Sequence, residues 1–131
     1  GRQPRERIED LYRSHDVFVF PSFREPAGGV LYEAMRHGLP VITAARGGHD
    51  YIIDDTCGLR LPVTTPEAFQ AAIAKAIRLL HADPALSALL GAGARAKVLT
   101  EGLWGAKADR MLSLYEEVAA RPSRGVAYPL G

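Results

Sequence analysis

The sequence predicts an α/β fold, a doubly wound parallel sheet of about three strands with flanking helices. Three observations carry that expectation. Short apolar runs alternate with helical patterns along the first half of the chain, the order of a parallel sheet with crossover helices. The runs are continuous rather than alternating, as in strands covered on both faces. The first two runs each lead into a glycine-rich loop, on the side of such a sheet where ligands bind.

The elements follow in order. Pro4 to Ser14 reads as a helix, with Pro4 suited to a first turn and Ile8, Leu11 and Tyr12 at helical spacing. Val17-Phe18-Val19-Phe20 is a strand expected to be buried on both faces, closed by Pro21-Ser22. Phe23 to Gly29 is a loop. Val30 to His37 is a helix, ended by Gly38 just past its last turn. Leu39 to Ala44 is a second strand, Ala45 to Gly48 a second glycine loop, and His49 to Asp54 a short helical turn. Gly58 to Val63 is a third strand. Thr65 can cap the next helix, with Pro66 at its first position and Phe69, Ile73, Ala76, Ile77 and Leu80 as an apolar stripe. Asp83-Pro84 restarts a helix whose apolar face is Leu86, Leu89 and Leu90. Trp104, Ala108, Met111, Leu112, Tyr115 and Val118 stripe a last helix, and that stripe is expected to be core. Residues 121–131 read as an irregular tail.

Composition narrows the function classes. The 131 residues are 47% hydrophobic and 24% charged, which excludes a disordered or low-complexity chain. Sixteen Lys and Arg against fifteen Asp and Glu leave a net charge of +1, so no nucleic-acid partner is expected. No apolar run approaches the roughly 18–20 residues of a membrane span, and the charged first sixteen residues lack the apolar core of a secretory leader. The single Cys57 has no partner for an internal disulfide. A cytoplasmic location is expected, free or peripheral to a membrane.

The glycine loops point to chemistry. Glycines that open a helix bring free backbone N–H groups close to a ligand, and the helix N-terminus carries partial positive charge. Gly28-Gly29 fits that description. Glu25 lies on the loop before the helix and Glu33 within its first turns, roughly 7 Å further along the axis. Carboxylates accept bidentately from vicinal hydroxyls. The residues by themselves therefore suit a phosphorylated, hydroxyl-rich ligand.

The stretch EPAGGVLYEAM resembles the E-x7-E motif of retaining GT-B glycosyltransferases of the glycosyltransferase family 4 group, with Glu25 and Glu33 at that spacing. Its context matches in order: DVFVFPS before it, HGLPVI after it, the Gly47-Gly48 pair, and Gly58-Leu59. The resemblance covers about residues 8–118 and implies a Rossmann-like donor domain. It places Glu25 as the catalytic-site glutamate against the transferred sugar and Glu33 on the ribose hydroxyls. Gly28, Gly29 and Val30 would offer amides to the sugar and diphosphate, with Gly47 and Gly48 also donor-binding. It implies retention at the anomeric carbon, no metal, and no cofactor beyond a nucleotide-diphosphate sugar as donor substrate. Arg24 and Arg46, which flank the loops, and His49 are further candidates for phosphate or acceptor contact. Ala27, Gly29, Tyr51 and Cys57 depart from the residues usual in the family, and they bear on the donor sugar more than on the fold.

On this resemblance residues 1–120 are the C-terminal donor-nucleotide-sugar-binding domain, truncated on its N-terminal side. The missing half would carry the basic clamp for the diphosphate. The acceptor, a glycan or a lipid, would be reached through an absent N-terminal domain, and the fragment alone is expected to be inactive. An uncovered strand 17–20 would then favour a homodimer. The alternative is a non-catalytic module of the same fold that binds a nucleotide or a partner. A flavodoxin-like phosphate sensor would need an acidic cluster after the first strand, and the sequence has none.

Overall fold

The computed structural model describes residues 1–22 and 28–121. It is α/β, with a three-stranded parallel sheet in the order β1 (Phe18–Phe20), β2 (Val41–Ala44), β3 (Gly58–Leu61). Before β1 runs α1 (Arg5–Ser14). Between strands lie α2 (Gly29–Arg36) and the single turn α3 (His49–Ile52). After β3 come α4 (Pro66–Ala82), α5 (Pro84–Lys97), a π-helical turn (Val98–Gly102) and α6 (Trp104–Ala120). Among the described residues no helix is long and apolar enough to cross a membrane.

Local chemistry explains the boundaries. Gly38 adopts φ +74° past α2, a left-handed conformation open to glycine without strain. Thr65 caps α4 by accepting from the Ala68 N–H at 3.2 Å, and Asp83 caps α5 by accepting from the Leu86 N–H at 2.9 Å. Proline stands at the start of both helices, where no N–H is needed. Strands two and three are shorter than the sequence pattern suggests, because Pro40 and Pro62 have no N–H to donate to a ladder.

The sheet separates two layers of core. On one face Val41 packs with Leu31 and Met35 of α2, Ile52 of α3 and Ala94 of α5, joined by Phe18 and Phe20. On the other Ile42 packs with Ala76 and Leu80 of α4 and Leu90 of α5, joined by Val19 and Leu59. A third cluster, Tyr12, Ala34 and Leu39, seats α1 against α2. Because α5 contributes to both faces, it crosses the sheet at the amino ends of the strands. Two glycines permit that approach. A Cβ on Gly91 would lie 2.2 Å from the Gly38 carbonyl oxygen, and one on Gly93 would lie 1.9 Å from that of Thr56.

Two expectations about burial are corrected. The last helix is not core: Trp104 is 87% exposed, and Met111, Leu112, Tyr115 and Val118 are all exposed. Periodicity marks a face that favours cover, and none of the described residues supplies it. Likewise β1 is only half-buried along its length, whereas β2 is buried throughout. Among the described residues β1 pairs with β2 alone, so one of its sides lacks a neighbour.

Candidate functional site

The carboxyl edge of the sheet gathers the loops that the sequence singles out. The parallel register sets Phe20, Thr43 and Arg60 side by side near the strand ends. Just beyond lie Gly28, which precedes α2, and Gly47-Gly48, which precede α3. Glu25 and Arg24, together with Ala27, lie outside the described residues.

The N-terminus of α2 is bare of side-chain caps. Gly28 is its cap residue, with no side-chain hydrogen bond among the described residues, and its carbonyl accepts from the Leu31 N–H at 2.8 Å. An α-helix leaves its first N–H groups without internal partners, and about half a unit of positive charge accumulates there. Gly29 is exposed, and a Cβ there would meet nothing within 4 Å. Val30 is half-buried against the α1–α2 cluster. Glu33, one turn further on, is exposed, and its Oε2 accepts from the Tyr12 hydroxyl at 3.4 Å.

The second loop is held from below. Gly47 takes φ +76°, Arg46 is exposed, and Gly48 caps α3. His49 is fully buried rather than at the cleft mouth; its ring meets Phe20 edge-on at 5.1 Å and its Cδ2 lies beside Gly28. The Thr43 hydroxyl donates to the Phe20 carbonyl at 2.9 Å and lies 3.3 Å from His49 Nδ1. A hydroxyl has one hydrogen. With that hydrogen on Phe20, the Thr43 oxygen must accept from His49, which places the ring proton on Nδ1. His49 Nε2 is buried and has no partner among the described residues.

Two contributors escape a reading of the sequence for function. Tyr12 looks like one more apolar position of α1, and its contact with Glu33 spans 21 residues of chain. Thr43 has a local signal, a hydroxyl inside the buried run VITA. Two other titratable groups have structural work. His15 closes α1, with Nδ1 2.7 Å from the Leu11 carbonyl oxygen. Cys57 is fully buried, and burial pushes its thiol pKa up, away from the reactive thiolate. Among the described residues no cluster of three His, Cys, Asp or Glu side chains could hold a metal ion.

A glycine-capped helix end beside a carboxylate, at the carboxyl edge of a parallel sheet, defines an α/β domain suited to an anionic, hydroxyl-bearing ligand. Comparison with known proteins names the family. Residues 1–91 match the model described as glycosyl transferases group 1. A D-inositol 3-phosphate glycosyltransferase of Xylanimonas cellulosilytica is 38% identical over 122 residues, which are 92% of this chain and 28% of that protein. A sucrose-phosphate synthase from Thermosynechococcus elongatus superposes with a TM-score of 0.72 at 36% identity, over 92% of this chain and 29% of that one. Anabaena HepE in complex with UDP superposes with a TM-score of 0.65 at 26% identity, over 81% of this chain and 29% of that one. The chain belongs to the glycosyl transferases group 1 family. It spans less than a third of the length of these relatives.

Proposed function

We propose that this chain is the donor-binding portion of a retaining, nucleotide-sugar-dependent glycosyltransferase of GT-B architecture. The observation that carries the reading is the bare, glycine-capped N-terminus of α2 at the carboxyl edge of the sheet, with the Glu33 carboxylate one turn away. The likeness to a UDP-bound structure supports it. In this reading the α2 amides at Gly28, Gly29 and Val30 neutralise the charge that builds on the diphosphate as it leaves, with Gly47-Gly48 and Arg46 contributing at the rim and Arg24 as a further phosphate contact. Glu33 accepts from the ribose hydroxyls, and Glu25 faces the transferred sugar. The acceptor, a glycan or a lipid, attacks from the face the diphosphate leaves, through an oxocarbenium-like ion pair, and the departing phosphate takes the acceptor's proton. No metal is required, and residues 1–120 form the domain.

A thermal-shift screen of UDP-, GDP- and ADP-sugars tests this. One nucleotide class should raise the melting temperature. Glu33→Ala should then weaken that ligand about 10- to 100-fold, the range for one charge-assisted hydrogen bond. Unchanged affinity in Glu33→Ala would remove Glu33 from the site. Sugar transfer by the purified 131-residue chain would overturn the claim that it is only a portion of the enzyme.

A further inference from the structure

We propose that Tyr12 is a positioning residue for Glu33: its hydroxyl orients the carboxylate that receives the ribose diol of a nucleotide. The proposal rests on the role given to Glu33 above.

The two residues come from different elements. Tyr12 sits near the end of α1 and Glu33 in the middle of α2, and the phenol O–H donates to Glu33 Oε2 across 3.4 Å. Tyr12 is itself held firmly. It is only 8% exposed, meets Phe18 edge-on at 5.9 Å between ring centroids, and stacks on His37 at 5.4 Å. His37 Nε2 lies 3.1 Å from Glu9 Oε2, so the stack is tied back to α1. Glu33, by contrast, is exposed, and among the described residues it has no other hydrogen bond.

A glutamate on an open helix face turns freely about its side-chain bonds, and ordering it on binding weakens the ligand. A donor fixed in the core removes part of that cost beforehand. It engages one carboxylate oxygen and leaves the other, with the remaining lone pairs, for two vicinal hydroxyls. Burial, and then the Glu33 carboxylate, push the Tyr12 pKa up to about 12, so the hydroxyl keeps its proton through the neutral range.

The test compares UDP, GDP and ADP with their 2′-deoxy counterparts by calorimetry on the purified protein. The ribo-to-deoxy affinity ratio is the readout, because both ligands meet the same population of folded protein. Tyr12→Phe keeps the packed ring and removes only the hydroxyl. It should lower the ratio about three- to tenfold, the range of one hydrogen bond. Glu33→Gln should lower it as well, and the double variant should lower it no further than Glu33→Gln alone. A ratio that falls in Glu33→Gln but holds in Tyr12→Phe overturns the positioning role and leaves Glu33 in place. A ratio that holds in both variants, a wild type that does not distinguish the sugars, or no nucleotide binding at all overturns the Glu33 reading and this proposal with it.

Discussion

Replacing Gly93 by alanine puts one methyl group into the tightest approach in the fold. Its Cβ would lie 1.9 Å from the Thr56 carbonyl oxygen, where real Cβ atoms stay beyond 3.0 Å. Helix α5 or the turn before β3 must therefore retreat by about 1 Å, and both are backbone, so no side chain can rotate away. Overpacking of this kind costs about 1–3 kcal/mol, and backbone contact places it at the upper end. Alanine returns up to about 1 kcal/mol of helix propensity. The net loss is about 2 kcal/mol. At roughly 3–6 °C per kcal/mol for a domain of this size, the melting temperature should fall by roughly 6–12 °C. Differential scanning calorimetry reads this directly. Gly105→Ala is the matched control: it also lies in a helix, nothing stands within 4 Å of its Cβ, and a gain of about 0.5 kcal/mol is expected. A Gly93→Ala protein that melts at or above the wild-type temperature would refute the claim that α5 is glycine-gated against the sheet.

Two further predictions concern charge and the sheet edge. Asp54 receives Lys97 Nζ at 2.5 Å and the Thr56 N–H at 2.9 Å, and these hold its carboxyl well below the usual carboxylate range. A depressed pKa stabilises the fold above the unfolded value and loses that contribution as pH falls through and below it. Asp54 is 44% exposed, so screening limits the ion pair to about 1 kcal/mol. Asp54→Asn should therefore melt below wild type at pH 7, the difference should shrink below roughly pH 4, and a pH-independent difference would show that the ion pair is not its cause. At the sheet edge, strand β1 offers an unpaired side among the described residues, the geometry that favours association through residues 17–20. Light scattering should show a dimer, and a monodisperse wild-type monomer would count against it.

Much of the fold was legible because proline and glycine punctuate it. Gly38, Thr65-Pro66 and Asp83-Pro84 bound their helices by local chemistry, which needs no knowledge of neighbours. What escaped depends on what lies across the chain. The apolar stripe of α6 states a preference for cover, but not whether any element lies over it. The run Val17 to Phe20 looks as apolar as β2, yet its place at an edge leaves it half-buried. In the site, the bare end of α2 could be read from Gly28-Gly29. The contact between Tyr12 and Glu33 could not, since only tertiary packing closes 21 residues of separation.

The pairing of Thr43 with His49 has a consequence for transplanting this edge between relatives. One strand side chain donates a hydrogen bond to the neighbouring strand and accepts one from the loop, so strand and loop form a single hereditary unit. A chimera that imports the Gly47–His49 segment alone, with an aliphatic residue for the imidazole, would leave the Thr43 oxygen without the donor it has here. A chimera that imports Thr43 and His49 together keeps both hydrogen bonds. Recombination breakpoints that leave this domain folded should therefore fall before β2 or after α3, and not between them.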